Sequence, residues 1–242
     1  MKTSLFQKIG IALFASAALA TPMTAQAAPA AEETNEYIVG GEPAQNRAVV
    51  QLKFTQNGGQ YGCSGSLISE EWVLTARHCT EDASNMNVFT SNSTQNPGQP
   101  VRAAQLANSP RGDVGLVRLS QPVNVGETMD LTDSTIPQRG QQGTVQGYGL
   151  RANSTPSTGL FQADVLVTGP SRDLHGGPAS NIRGITGAAN RGDSGGPLII
   201  NGQVVGVCST GDTPDPGANI NSGSNYSNVA AHRDWIRQTA GI

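Results

Sequence analysis

Long apolar runs are nearly missing from this chain. The one candidate, Ile9 to Ala20, is too short to cross a bilayer, and no second apolar segment or stop-transfer pattern follows it. Charge is sparse too: Asp, Glu, Lys and Arg make up 14% of the residues and the formal net charge is −3. That balance gives no electrostatic reason to expect nucleic acid or an anionic membrane as a partner. The three Cys and three His form no cluster with metal-ligand spacing, and there is no Walker-type phosphate loop. No metal and no cofactor is therefore expected.

Turn formers, in contrast, are abundant. Thirty Gly and fourteen Pro, with frequent Asn-Gly, Gly-Gly and Ser-Pro pairs, point to many short strands joined by turns, an all-β protein. A hydrophobic content of 36% describes a globular chain, and 242 residues have room for one domain of two lobes or two small domains.

The N-terminal stretch reads as a label to be removed. Lys2 and Lys8 form a short basic region before the apolar run, and Ala25-Gln26-Ala27 fits a signal-peptidase site, giving a signal peptide over 1–27. Secretion follows as an expectation (extracellular, or periplasmic in a Gram-negative source), and disulfides persist there. Residues 28–37 are small, acidic and patternless, and read as a short pro-segment. Cleavage after Tyr37 would create an α-ammonium at Ile38, and a buried ammonium needs an anion; Asp193 is the candidate.

Strands are expected at 47–54, 61–68 and 72–75, then after a polar loop (Thr80 to Pro100) at 101–107 and 113–119. Residues 120–142, rich in Pro, Gln, Thr and Gly, read as a link between two lobes. A second set follows at 143–150, 161–168, 182–187, 198–200, 203–209 and 225–229. Ala231 to Thr239 is the one convincing helix, expected on a barrel exterior.

Chemistry concentrates at Gly192-Asp193-Ser194-Gly195-Gly196-Pro197. Glycine allows the positive φ angles of such a turn, which exposes Ser194 Oγ while the N–H groups of Gly192 and Ser194 converge as an oxyanion hole. His78 stands out among the histidines because of its neighbour Cys79, which can pair with Cys63 on the preceding strand and fix the turn. Three pairings are open; Cys63–Cys79 is the favoured one. His175 and His232 read as structural or merely exposed. Asp113 opens an apolar strand, either as a turn residue or as a buried carboxylate that orients an imidazole.

Taken in order, Ile38-Val39-Gly40-Gly41, Leu74-Thr75-Ala76-Arg77-His78-Cys79, Asp113-Val114-Gly115-Leu116 and the Ser194 hexapeptide closely resemble the trypsin/chymotrypsin family of serine peptidases. The likeness runs from Ile38 to Ile242. It implies two six-stranded antiparallel β-barrels of the chymotrypsin type (about 38–125 and 126–242) with a C-terminal α-helix and a cleft between the barrels. It implies His78, Asp113 and Ser194 as catalytic triad, Gly192 and Ser194 as oxyanion hole, Ser209 as a second donor to Asp113, and an Ile38–Asp193 pair formed on activation. Protein or peptide substrates, an activating protease and protein inhibitors are the implied partners of a monomer. The substrate pocket would be lined by Ala188, Ser209, Thr210, Gly211 and Ser224. Ala188 holds the position that is acidic in trypsins, and no carboxylate is expected in the pocket, so an uncharged side chain next to the scissile bond is favoured. Thr210 stands where tryptophan is usual, Tyr37 where Arg or Lys often precedes the new N-terminus, and Arg77 where alanine is common. Cys208 is left as a buried small hydrophobe. A catalytically silent relative that binds a partner through the same cleft is the alternative.

Overall fold

In the computed structural model, which describes residues 38–242, the strands alternate as their sequences dictate and close twice into barrels. A two-residue strand, β1 (Glu42–Pro43), precedes the first barrel. That barrel holds β2 (Val49–Gln56), β3 (Gly59–Leu67), β4 (Trp72–Thr75), β5 (Ala83–Phe89), β6 (Val101–Asn108) and β7 (Gly115–Leu119). Their order around the barrel is β2-β3-β4-β7-β6-β5, every pair antiparallel, with β5 returning to β2.

The second barrel holds β8 (Gln142–Gly147), β9 (Phe161–Arg172), β10 (Pro178–Gly184), β11 (Pro197–Ile200), β12 (Gln203–Gly211) and β13 (Gly223–Asn228). It runs β9-β10-β13-β12-β11-β8 and is closed by β8 on β9, while β1 adds to the outside edge of β9. In β9 the period of two is clean: Phe161, Ala163, Val165 and Val167 are buried, and Gln162, Asp164 and Leu166 lie outside the buried set. The β2–β3 hairpin turns on Asn57 and Gly58, both at positive φ (49° and 79°), and β11–β12 repeats this with Asn201 and Gly202 (52° and 77°). Two consecutive left-handed residues match the twist of paired strands, and Asn-Gly is the pair that adopts them at least cost.

The expected architecture is therefore present, with one strand added. The polar stretch Thr80 to Pro100 contains β5, whose Met86 and Val88 face the first core while Asn85 and Asn87 face outward. Among the described residues the segment between β7 and β8 carries no strand of its own, but it touches both barrels: Met129 N–H donates to Leu67 O and Val204 N–H to Asp130 O, each at 2.8 Å. The terminal helix spans Arg233–Ala240 and is closed by Gly241 at φ 75°, whose N–H reaches Arg237 O. Its Ile236 is fully buried, packed with Val229, Val204 and Val207 into the core cluster that also holds the first-barrel residues. No described helix is long and apolar enough to cross a membrane. The signal peptide and pro-segment read from the sequence lie outside the described residues.

Candidate active site

His78 sits on a single helical turn, α1 (Arg77–Thr80), that leaves the end of β4. Three restraints fix it. The Cys63–Cys79 disulfide ties the turn to β3 across a Cα–Cα distance of 6.4 Å. Arg77 reaches Glu81 at 2.6 Å and the carbonyl of Ser109 at 3.3 Å, which accounts for an arginine next to the histidine: it braces the turn against the segment leading to Asp113. The His78 N–H donates to Asp113 Oδ1 at 2.8 Å. Cys63, His78 and Cys79 lie close together like a ligand set, but the disulfide removes both thiolates.

Asp113 is wholly buried just before β7. Its Oδ2 lies 2.7 Å from His78 Nδ1 and accepts the Ser209 hydroxyl at 2.6 Å. Burial alone would raise this carboxyl; the hydrogen bond and charge of His78, with the Ser209 hydroxyl, outweigh it and hold Asp113 below the usual carboxylate value. A carboxylate at Nδ1 selects the tautomer with the proton there and leaves Nε2 as the acceptor.

Sequence reasoning missed Asp173, which anchors Asp113. It lies in the turn from β9 to β10, and its Oδ2 accepts the Asp113 N–H at 2.9 Å and the Ser227 hydroxyl at 3.0 Å. Its Oδ1 accepts the N–H groups of His175 (3.0 Å) and Gly177 (2.7 Å). The only local signal is an Asp ahead of Gly176-Gly177, which reads as a turn. The same turn places His175 Nε2 3.8 Å from Asp113 Oδ1 and 3.5 Å from Glu81, so this histidine is not merely exposed but borders the site. His232 fits the structural reading: it is buried, its Nδ1 is 2.7 Å from Ser109 Oγ, and burial holds it below the usual imidazole value.

Ser194 comes from the second barrel, on the turn before β11. Gly195 is at φ 82°, and a Cβ there would lie 2.1 Å from Thr75 Oγ1 and 2.3 Å from Ser64 O. Only glycine admits so close an approach of the first barrel. Ser64 N–H donates to Ser194 O at 2.8 Å, and Gly195 N–H to Cys208 O at 2.8 Å. Ser194 is thus brought to the strand end that leads into His78, although no hydrogen bond joins Ser194 Oγ to the imidazole. Among the described residues neither the Gly192 nor the Ser194 N–H donates to a protein acceptor.

Asp193 points the other way, into the protein. Its two oxygens accept the N–H groups of Gly149 and Asn190, each at 2.8 Å. Burial pushes this carboxyl up to about 7, against the pull of those two donors. Among the described residues it has no ion-pair partner. Ile38 is buried in the second-barrel core, and the next residue, Val39, accepts the Ala188 N–H at 2.8 Å.

A cavity of about 420 Å³ opens beside Ser194. Ser209, Thr210, Gly211 and Ser224 line it as expected, with Ala189, Asn190 and Cys208. Two features differ from the sequence reading. Ala188 is not part of the lining, its neighbour Ala189 being there instead, and one carboxylate, Asp212, is. Asp212 is exposed and engaged by the side-chain amides of Asn181 and Asn225.

Two closed barrels whose cleft gathers a histidine on a buried carboxylate and a serine on a Gly-rich turn define a chymotrypsin-like hydrolase fold. A family model described as Trypsin matches residues 38–236. The chain is 30% identical over 250 residues to an uncharacterized peptidase of Corynebacterium glutamicum, covering 100% of this chain and 85% of that protein. It is 28% identical over 244 residues to human kallikrein-15, covering 88% and 94%. Of solved structures, neuropsin, a serine protease expressed in the limbic system of mouse brain, superposes with a TM-score of 0.68 at 24% identity, over 83% of this chain and 98% of that one. HL collagenase gives 0.70 at 24% identity, over 84% and 98%. These two similarities speak to the fold. The chain belongs to the trypsin family of serine peptidases and is a hydrolase of that class, whose members act on proteins or peptides.

Proposed function

We propose that this chain is a secreted serine endopeptidase, made as a zymogen, that cleaves peptide bonds through His78, Asp113 and Ser194. The observation that carries the reading is the bonded series Ser209–Asp113–His78 beside a serine turn with two unengaged N–H groups. Ser194 Oγ attacks the scissile carbonyl carbon while His78 Nε2 takes its proton. The oxyanion of the tetrahedral intermediate is received by the N–H groups of Gly192 and Ser194. His78 then protonates the leaving amine, and water activated by the same imidazole releases the acyl group. Asp113 holds the tautomer and stabilises the imidazolium, and Ser209 and Asp173 hold Asp113.

Activation is cleavage after Tyr37. In the uncleaved chain Ile38 has no α-ammonium, and Asp193 is buried beside the oxyanion turn without a cation. Ile38 also sits at φ 35°, an uncommon backbone for a β-branched residue. A freed ammonium at Ile38 supplies the missing charge and locks the turn between Asn190 and Ser194. The pocket takes an uncharged side chain: the buried part of its lining is Ala189, Cys208, Ser209 and Ser224, and its two charged residues, Arg191 and Asp212, are exposed, Asp212 being held by two amides.

The test is intact mass after a fluorophosphonate probe, on protein beginning at Ile38 and on the same chain with Ser194→Ala. One adduct on the first and none on the second is expected. No adduct on folded protein would refute the reading and favour a silent relative that only binds.

A further inference from the structure

Of the buried side chains that line the cavity beside Ser194, one polar group is left alone. Ser224 is 1% exposed, and its hydroxyl has no hydrogen-bond partner among the described residues. The other buried polar side chains of the lining are committed. Ser209 donates to Asp113 at 2.6 Å and accepts the Leu174 N–H at 3.0 Å. The Cys208 thiol is hydrogen-bonded with the Tyr226 hydroxyl.

Strand register explains the isolation. On β13 Ser224 and Tyr226 are buried, while Asn225 between them turns its amide to Thr210 and Asp212. Across from Ser224 stand Ile182 on β10 and Gly211 on β12. Ile182 offers only hydrocarbon and Gly211 has no side chain. The cavity lies on the Gly211 side, for Gly211 lines it and Ile182 does not. The hydroxyl swings about a single torsion, so it can turn to a group that enters there.

A buried hydroxyl is both donor and acceptor, and leaving it unmet is costly. Water serves such a group only until a substrate side chain displaces it. An apolar side chain strips the hydroxyl and returns nothing. A carboxylate offers acceptors alone and enters near Asp113 and Asp193, whose charges already act on Cys208 in this wall. A cation finds no free buried anion, since Asp212 is exposed and taken by Asn181 and Asn225. A carboxamide carries a donor and an acceptor on a stem longer than that of Ser or Thr.

We infer that this pocket selects Asn or Gln as the residue whose carbonyl is attacked, with the Ser224 hydroxyl as the specificity-determining group. The inference rests on the peptidase reading above and narrows its uncharged preference to one chemical class.

The test uses quenched peptides identical except next to the cut, in the near-isosteric pairs Asn with Leu and Gln with Met, and a Tyr with Phe pair beside them. In the wild type the amide peptide is expected to exceed its apolar twin in kcat/KM by about tenfold in one of the first two pairs, the scale of one neutral hydrogen bond made or stripped. In Ser224→Ala the ratio is expected to fall to one or below, because an all-apolar wall favours the apolar twin. Urea unfolding in a Ser194→Ala background reads the hydroxyl itself: adding Ser224→Ala is expected not to lower the midpoint, since no internal hydrogen bond is lost. A lowered midpoint overturns the inference. So does an amide ratio of one or less in both pairs of the wild type, a preference confined to Tyr over Phe, or an amide preference that survives Ser224→Ala. A wild-type protein that takes a fluorophosphonate but shows no amide preference leaves the peptidase reading standing; one that neither takes the probe nor cleaves any peptide removes both.

Discussion

Cutting the chain after Tyr37 should change how its stability depends on pH, and Asp193 sets the size of the change. In the uncleaved chain this carboxyl is displaced by burial from 3.8 to about 7. At 1.36 kcal/mol per pH unit of displacement, that is a cost of about 4 kcal/mol for holding the ionised form inside. Because the folded value is raised, the folded state binds the extra proton between pH 3.8 and about 7. The stabilisation is complete below 3.8, is lost as pH rises through about 7, and is flat above that. In the cleaved chain the Ile38 ammonium removes the penalty for as long as it stays protonated, so this loss disappears. The assay is urea unfolding followed by fluorescence of the buried Trp72, from pH 4 to 8, in a Ser194→Ala background that prevents self-digestion. The two forms should diverge by about 3 kcal/mol between pH 4 and pH 8, the cleaved form being favoured at the upper end. Asp193→Asn in the uncleaved chain should flatten its profile. Parallel pH profiles for cleaved and uncleaved protein would refute the pairing of Ile38 with Asp193.

Three further outcomes are expected. Replacing both Cys63 and Cys79 with Ser opens a loop of sequence separation 16 and should cost about 3 kcal/mol, read as a lower urea midpoint with an unchanged slope. Ser209→Ala removes the 2.6 Å donor to Asp113 and should lower kcat by about tenfold with little change in KM, since a bond to a charged acceptor is worth about 1.5 kcal/mol or more. Cys208 is buried, and burial raises its thiol far above the usual value, so iodoacetamide should add nothing to the native protein and one equivalent after unfolding in urea without reductant.

What the sequence displays best is chemistry carried by contiguous residues. His78 with Cys79, Asp113 at the mouth of an apolar strand, and Ser194 among glycines each mark themselves locally, and the fold brings His78 onto Asp113 at 2.7 Å. The strand β5 was hidden because its outward residues are Ser84, Asn85 and Asn87; two inward side chains, Met86 and Val88, are too few to outweigh a polar composition. Asp173 and His175 were hidden for another reason. Their turn looks ordinary, and its meeting with Asp113 depends on where a twelve-residue β9 ends and on its bulge at Thr168, opposite Asn181 and Ile182 of β10. Register over that length is not a local property. The pocket shows the same limit at finer grain. Counting residues back from Ser194 placed Ala188 in the wall, whereas its backbone is committed to Val39 and Ala189 faces the cavity. Asp212 entered the lining because β12 runs on to Gly211 before it turns.

His78 is held within its own barrel, but the carboxylate it leans on and the serine are each held by the barrel they do not belong to. Asp113, from the first barrel, accepts from Ser209 on β12 and donates its N–H to Asp173 beyond β9. Ser194, from the second, gives its carbonyl to Ser64 on β3, and Gly195 lies against Thr75 at the end of β4. The first barrel joins His78 to Asp113, but the anchoring of Asp113 and the placing of the serine need both barrels, so the full geometry is a product of their docking. Asp173 and Asp113 are buried at that junction, where a polar group without a partner costs about 1–3 kcal/mol. A shift of one barrel against the other would break the Ser209–Asp113 and Asp113–Asp173 hydrogen bonds together, so intermediate alignments are disfavoured and the cleft closes in one register. The Gly-rich turn and the buried acids are two halves of one device: glycine removes the steric bar to close approach, and the carboxylates make close approach the only satisfied arrangement.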